Sequence, residues 1–427
     1  MRTEFTAEQL RAPQMREADA ILRKCVHCGF CTATCPTYLL LGEENDGPRG
    51  RIWQIKTMLE TGRADAATAA HLDRCLACLS CASTCPSGVD YGRLVDIARV
   101  RLEHAPRARV WHRRLARALI AAVVPYPRRL KWALRLARPG RFAAPLLRRA
   151  GPLRPLAGML EMAGAPPDPL PRAPEVFPPQ GTAQGRVALL AGCAQSVLAG
   201  RIGRAAVHLL TTAGYEVVMP SSAGCCGAVV AHMGKEERAK ALARANIAAW
   251  ERARVDAVLI DASGCASTIA DYGRLLADDP QWADAAARIA AKARDIGVFL
   301  AASELPPMRA PRDMTVMFHA PCSLTHALQQ AATPPELLRR AGFQVATPAE
   351  PHICCGAAGV YGVFEPEISN ALRQRKLANL QAVEAAVIAS ANYGCMAHLQ
   401  GSAARPVVHY LELLSWAAGG PAPAGLA

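Results

Sequence analysis

The sequence predicts an α+β multidomain protein: a mostly helical, cysteine-rich first domain followed by two duplicated α/β modules with parallel sheets. Three observations carry that prediction. Eight of the 16 cysteines crowd into residues 1–98 in two runs of identical spacing. The other eight recur within residues 182–427 in a wider pattern that repeats itself. Each repeat also alternates short apolar runs with longer helix-compatible ones, the signature of parallel sheets with helices on both faces. At 427 residues, with 51% apolar and 20% charged residues, the chain can bury real cores and is not a disordered one. Aromatic residues make up only 5%, which excludes a single-strand nucleic-acid reader built on stacking platforms.

The opening segment MRTEFTAEQL lacks an apolar signal core, and the apolar run Ala118–Val124 is far too short to span a bilayer. A cytoplasmic location follows as the expectation. In that reducing compartment, thiols serve as metal ligands or redox groups rather than as structural disulfides.

The first region, 1–98, contains Cys25-x-x-Cys28-x-x-Cys31-x-x-x-Cys35-Pro36 and then Cys75-x-x-Cys78-x-x-Cys81-x-x-x-Cys85-Pro86. Three evenly spaced thiols wrap three corners of an iron–sulfur cube, and the fourth lies where the chain has turned away. In two-cluster ferredoxins that fourth cysteine ligates the other cluster. The expected sets are therefore Cys25, Cys28, Cys31 and Cys85 for one [4Fe–4S] cluster, and Cys75, Cys78, Cys81 and Cys35 for the second. Zinc favours paired knuckles at wider separation. The intervening DGPRGR (46–51) reads as a turn leading into a helix, able to steady a loop beside a cluster. His27, between two of the ligands, reads as a shield or hydrogen-bonding neighbour.

The second region, 99–181, is basic and then Pro-rich. Residues 99–172 hold 17 Arg or Lys against three acids, so the whole +14 of the chain sits there. The stretch RVWHRRLARALIAAV mixes arginine with apolar residues as interfacial helices do. It reads as a docking surface for a partner subunit or for the anionic cytoplasmic face of the inner membrane. From Pro139 to Gly181, 11 prolines predict an extended linker without long helices.

The last region divides at about residue 305 into two modules, 182–305 and 306–427. Cys193 matches Cys322, Cys225-Cys226-Gly227 matches Cys354-Cys355-Gly356, and Cys265 matches Cys395, at offsets of 129 or 130. Cys193, Cys265, Cys322 and Cys395 follow apolar strands, where open parallel sheets collect ligands. The Cys-Cys-Gly pairs precede helices, whose amides favour thiolates. Each module can thus gather four thiols for a further iron–sulfur cluster. His352 and His398 flank the second set as polar neighbours or ligands; His104, His112, His208, His319, His326 and His409 give no signal. No dinucleotide fingerprint, P-loop or zinc-protease motif occurs, since GRIGRAAV (200–207) has the wrong spacing. Any flavin belongs to another subunit, and the chain itself holds no catalytic residue.

KCVHCGFCTATCPTYLLLG, DGPRGRIW, HLDRCLACLSCASTCPSGVDY, AGCCGA, ASGC and HICCGAAGVY together resemble the iron–sulfur subunits of bacterial glycolate oxidase nearly end to end, least through the Pro-rich middle. The resemblance implies that FAD-bearing partner subunits oxidise glycolate to glyoxylate and that this chain relays the electrons toward a respiratory acceptor such as quinone. It carries the two [4Fe–4S] clusters onto the eight N-terminal cysteines. The Cys-Cys-Gly modules also resemble those of heterodisulfide reductases, but they end in Cys265-Ala-Ser-Thr268 and Cys395-Met-Ala-His398, without that family's last thiol. The same class admits glycerol-3-phosphate or lactate as the partner's substrate, and a thiol–disulfide enzyme is the more distant alternative.

Overall fold

The computed structural model of the chain describes residues 1–105, 108–149, 153–162, 167–170 and 175–426. The N-terminal domain is helical: Pro13–Lys24, Pro36–Leu41, Pro48–Thr61, Ala66–Asp73, Ser80–Thr84 and Tyr91–Glu103. Three of these helices start on proline, whose missing N–H is no loss in a first turn. Asp65 and Asp90 cap two others by accepting from the backbone N–H of Thr68 and Arg93, at 2.7 and 3.1 Å. Leu22, Ile55, Leu72 and Leu94 form the core between them.

The basic region continues as helices Trp111–Val123 and Pro127–Ala137. The expected extended linker is corrected in part. A 3₁₀ turn at Pro139–Ala143 leads into short helices at Ala144–Arg149 and Arg154–Met162. Pro145 and Pro155 each occupy the second position of their helix, where proline neither clashes nor removes a bond. The prolines limited helix length without imposing extension. Stretches 163–166 and 171–174 of that expectation lie outside the described residues.

The first module is a five-stranded sheet: β1 (Val176–Phe177), β2 (Gly185–Leu189), β3 (Tyr215–Val218), β4 (Ala257–Ile260) and β5 (Ala293–Asp295), in the order β1-β3-β2-β4-β5. The second contains β6 (Thr315–His319), β7 (Gln344–Ala346), β8 (Val387–Ser390) and β9 (Val407–His409), in the order β7-β6-β8-β9. The duplication therefore extends to topology: β3-β2-β4-β5 and β7-β6-β8-β9 are the same parallel arrangement, and only β1 is antiparallel. In register, Val187 pairs with Ala257 as Val316 pairs with Val387. The fourth strands, β5 and β9, are three residues each and too short to leave a periodic signal. Helices Gly200–Thr212 and Tyr410–Ala417 pack against each other, and one apolar core runs through both modules, from Leu189 and Leu209 to Phe318 and Leu413. Among the described residues, no helix is long and apolar enough to cross a membrane.

A buried acid gives the first module a pH signature. Burial pushes the Asp261 carboxyl up to about 7, against the opposing hydrogen bond from Gln195 Nε2 at 2.7 Å. An unfolded Asp ionises near pH ~3.9, so this group's stability contribution is intact below that pH and declines as pH rises toward 7. Asp261→Asn keeps an acceptor for Gln195 and removes the charge. Urea unfolding is expected to show a benefit about 2–3 kcal/mol larger at pH 8 than at pH 5. Equal benefit at both pH values would contradict a neutral buried carboxyl.

Candidate metal centres

The two N-terminal cysteine loops are conformational copies. His27 (φ 55°) and Gly29 (φ 85°) are left-handed in the first, and Ala77 (φ 50°) and Leu79 (φ 63°) occupy the same steps in the second. Left-handed backbone is unfavourable for residues other than glycine, so its repetition at matched positions marks a shape imposed by what the loop surrounds. Thr34 and Thr84, each just before a fourth cysteine, meet hydroxyl to hydroxyl at 3.3 Å, which binds the two copies together.

Two cavities result. Cys25, Cys28, Cys31 and Cys85 line the first, along with Cys81, and Cys35, Cys75, Cys78 and Cys81 line the second. Each fourth cysteine thus stands with the three thiols of the other run. Pro48, Cys81 and Tyr91 line both cavities and form their common wall. The donor set suits iron–sulfur clusters: five thiols line the first cavity and four the second, Cys81 being common to both, with no carboxylate on either lining. The first cavity opens to solvent at exposed Cys28, beside Val26, Phe30 and Trp53. His27 lines it too, its ring edge-on to Trp53 and its Nε2 buried with no partner among the described residues.

DGPRGR supplies what the second cavity needs. Arg51 is buried, with Nη1 4.0 Å from Cys35 Sγ and 3.0 Å from Thr37 Oγ1, while Nε donates to His71 O at 2.8 Å. Asp46 accepts from Arg51 at 3.4 Å and from Arg74 at 2.8 Å, and meets His71 Nδ1 at 3.0 Å. Gly50 lets this turn close, since a Cβ there would lie 2.2 Å from Glu44 O. Burial would push the Cys75 thiol up, but Arg51 and Arg99 outweigh it and hold Cys75 below the ordinary thiol range. Tyr91 OH and the Ala77 N–H also donate to Cys75 Sγ, at 3.6 and 3.4 Å.

In the first module, Cys226 and Cys265 stand Sγ to Sγ at 3.1 Å, and Cys193 hydrogen-bonds Cys225. Asn246 braces the pair by accepting from Gly224 N–H at 2.8 Å and donating to Cys225 O at 2.9 Å. In the second, Cys322 and Cys354 are 3.8 Å apart, and Cys355, Cys395 and His319 converge with all ligand atoms within 4.8 Å. The expected lowering of the thiol pKa at the Cys-Cys-Gly turns is corrected. Gly227 and Gly356 N–H do donate to Cys225 and Cys354 Sγ at 3.4 Å. Cys193 likewise holds Cys225 down, but a bond to Cys226 and burial push Cys225 up to about 12. Metal binding at such thiols must release protons.

His319, which carries no motif in the sequence, faces the thiols. His352 and His398 do not join it: His352 offers its carbonyl to His326 at 3.1 Å, and His398 turns to Ser369 Oγ at 3.4 Å. Superposing the repeats would have found His319, because the matching residue of the first module is the aliphatic Leu190. The second module also abuts the second cavity. Leu76 and Cys78 pack with Ile353, Cys354 and Cys322, and Tyr361 OH donates to Arg74 O at 2.9 Å.

The fold and these sites define an iron–sulfur protein of the dicluster type with two appended thiol modules. Residues 21–89 match the family "4Fe-4S dicluster domain", and residues 187–270 and 316–400 each match "Cysteine-rich domain". The chain is 38% identical to the glycolate oxidase iron–sulfur subunit of Escherichia coli (strain K12), across 98% of this chain and 99% of that one. It is 31% identical to the probable glycolate oxidase iron–sulfur subunit of Bacillus subtilis (strain 168) over the same shares. Lactate utilization protein A of Exiguobacterium sp. is 29% identical over 54% of this chain and 96% of its own length. The chain belongs to the family of glycolate oxidase iron–sulfur subunits.

Arg51 offers a direct test of the second cavity. Removing a cation beside a cluster makes its reduction harder, so Arg51→Leu is expected to lower one cluster's potential. A charge about 7 Å away at an effective dielectric near 20 corresponds to on the order of 100 mV. Arg51→Lys should restore most of the shift, read by EPR-monitored redox titration. Two unchanged potentials would contradict the placement.

Proposed function

We propose that this chain relays electrons from a flavoprotein subunit that oxidises glycolate to glyoxylate, toward a respiratory acceptor at the membrane. In this reading Cys25, Cys28, Cys31 and Cys85 hold one [4Fe–4S] cluster, and Cys75, Cys78, Cys81 and Cys35 hold the other. Each cluster, when bound, supplies a one-electron couple tuned by charge, sulfur hydrogen bonds and exposure. The shared wall of the two cavities, one of them open at the surface, is the observation that carries the reading. Val26, Phe30 and Trp53 offer the flavoprotein an apolar rim at the open cavity. Arg51, Arg99 and Tyr91 stabilise the Cys75 thiolate of the inner one. Substrate choice rests with the flavoprotein, and both full-length relatives above carry glycolate in their names.

The acceptor side is supported by the basic helices. Trp111, Leu115 and Leu119 form an exposed stripe on Trp111–Val123, and Trp132 and Leu136 extend it on Pro127–Ala137. Arg135 lies over the Trp132 ring at 5.3 Å, an arrangement suited to an anionic headgroup layer. Not every arginine of the segment is available. Arg117 is buried against Glu103 and Met233 O, and Arg113 pairs with Glu365, so these two fasten the helix to the body of the molecule.

Two outcomes follow. In the assembled complex, Cys28→Ser is expected to abolish acceptor reduction while glycolate still reduces the flavin, followed by stopped-flow absorbance; undiminished acceptor reduction would refute the relay. The full chain should sediment with phosphatidylglycerol vesicles at physiological salt. Leu115→Ser combined with Trp132→Ser should reduce the bound fraction at least about tenfold, from roughly 1.5–3 kcal/mol per lost apolar anchor. Pelleting unaffected by both changes would remove the membrane from the account.

A further inference from the structure

The two modules share a topology, yet their thiols sit in different surroundings. In the second module three polar side chains face the thiols: His319 from β6, Lys376 from helix Pro366–Gln381, and Asn392, whose Nδ2 lies 3.5 Å from Cys395 Sγ. At the matching positions the first module has Leu190, Asn246 and Ala262. Leu190 is a buried core residue, whereas Asn246 is polar and braces Cys225 from the equivalent helix. The copies therefore differ at the end of the first strand and just before the last cysteine's helix, where the second module has His319 and Asn392 and the first has Leu190 and Ala262.

Lys376 sharpens the contrast. Its side chain is buried, and among the described residues its ammonium makes one hydrogen bond, to the Glu350 carbonyl at 2.8 Å, and no ion pair with a carboxylate. A buried cation without a counter-charge is costly. Its charge faces Cys355 and Cys354, the Glu350 carboxylate and Cys395.

We propose that His319, Cys355 and Cys395 form a mononuclear metal site of the zinc or ferrous-iron class, absent from the first module. The three donor atoms lie within 4.8 Å of one another, close enough that a small inward movement brings all of them to bond lengths of about 2.0–2.3 Å around one ion. Thiolate and imidazole together select a soft or borderline ion over magnesium or calcium. Ser390 Oγ lies 3.0 Å from His319 Nδ1 and orients the ring, leaving Nε2 as the ligand nitrogen. The Cys322–Cys354 pair, 3.8 Å apart, continues the same row of thiols and adjoins Cys355. Lys376 balances the negative charge of the bound thiolates. The site lies against the second N-terminal cavity, where Cys78 packs with Cys322 and Cys354.

Metal analysis of the anaerobically purified full chain tests this, with iron, zinc and acid-labile sulfide counted together. His319→Leu, which installs the first module's residue, and Cys395→Ser are each expected to lose the same increment, about one ion per chain. The sulfide content and the visible absorbance of the N-terminal clusters should stay unchanged, which also reports that the variants fold. Cys265→Ser in the first module should leave the count as in the parent chain. Ser390→Ala, a milder change, should weaken retention of the ion against a chelator about tenfold. An unchanged count in both His319→Leu and Cys395→Ser would overturn the proposal, as would an equal loss in Cys265→Ser. The N-terminal relay stands or falls separately, because its iron is counted with the sulfide and this ion without it.

Discussion

Sulfur ligands carry negative charge, and this protein buries most of its thiols away from water, exposed Cys28 apart. The rest of the architecture answers that constraint. At the inner N-terminal cavity the answer is Arg51, buried beside Cys35 and held in place by Asp46, Thr37 and the His71 carbonyl. Asp46 in turn needs Arg74 and His71, so one cation recruits a chain of partners that spans two helices and the turn before them. That network, with Arg99, holds Cys75 below the ordinary thiol range, while burial pushes Cys78 and Cys81 of the same cavity well above it, as it does at the Cys-Cys-Gly turns. The same logic recurs at Lys376 in the second module, with a single ammonium against three thiols.

Duplication shaped the molecule at two scales. The N-terminal loops repeat after fifty residues down to their left-handed steps at His27 and Ala77, and the two sheets repeat in strand order and register. In each case the copies share a wall: Pro48, Cys81 and Tyr91 between the cavities, and one continuous core between the modules. A shared wall keeps neighbouring centres close and dry, which is what electron transfer asks of a scaffold. Divergence then acted on a few inward positions. Leu190 and His319 occupy the same place in two copies of one fold, an aliphatic side chain in one and an imidazole beside Cys355 and Cys395 in the other.

What the sequence made legible was whatever repeats or is spaced along the chain. The cysteine runs, the Cys-Cys-Gly landmarks and the helix–strand alternation all obey short-range rules, and the parallel sheets follow from them. The crossed grouping of Cys35 and Cys85 is an expectation carried over from two-cluster proteins, and the cavity linings agree with it without testing the ligands. Arg51 was half legible: DGPRGR read as a turn near a cluster, but no local rule says that a surface-type residue will be buried 16 positions from the thiol it faces. His319, Lys376 and Asn392 were illegible because tertiary packing alone assembles them from a strand, a helix and a loop. The Pro-rich stretch was misread for the opposite reason. Proline's local effect depends on its position within a helix, and Pro145 and Pro155 fall where it is harmless.

The central claim is that two adjacent clusters exchange their fourth ligands, so that each cysteine run depends on the other. Mössbauer and EPR spectra of single-cysteine variants of the full chain test it most directly. Cys35→Ser is predicted to alter the cluster signal that Cys78→Ser alters, and Cys85→Ser the one that Cys28→Ser alters. If Cys35→Ser instead perturbed the Cys28-dependent signal, each run would hold its own cluster, and the shared-wall account would be wrong.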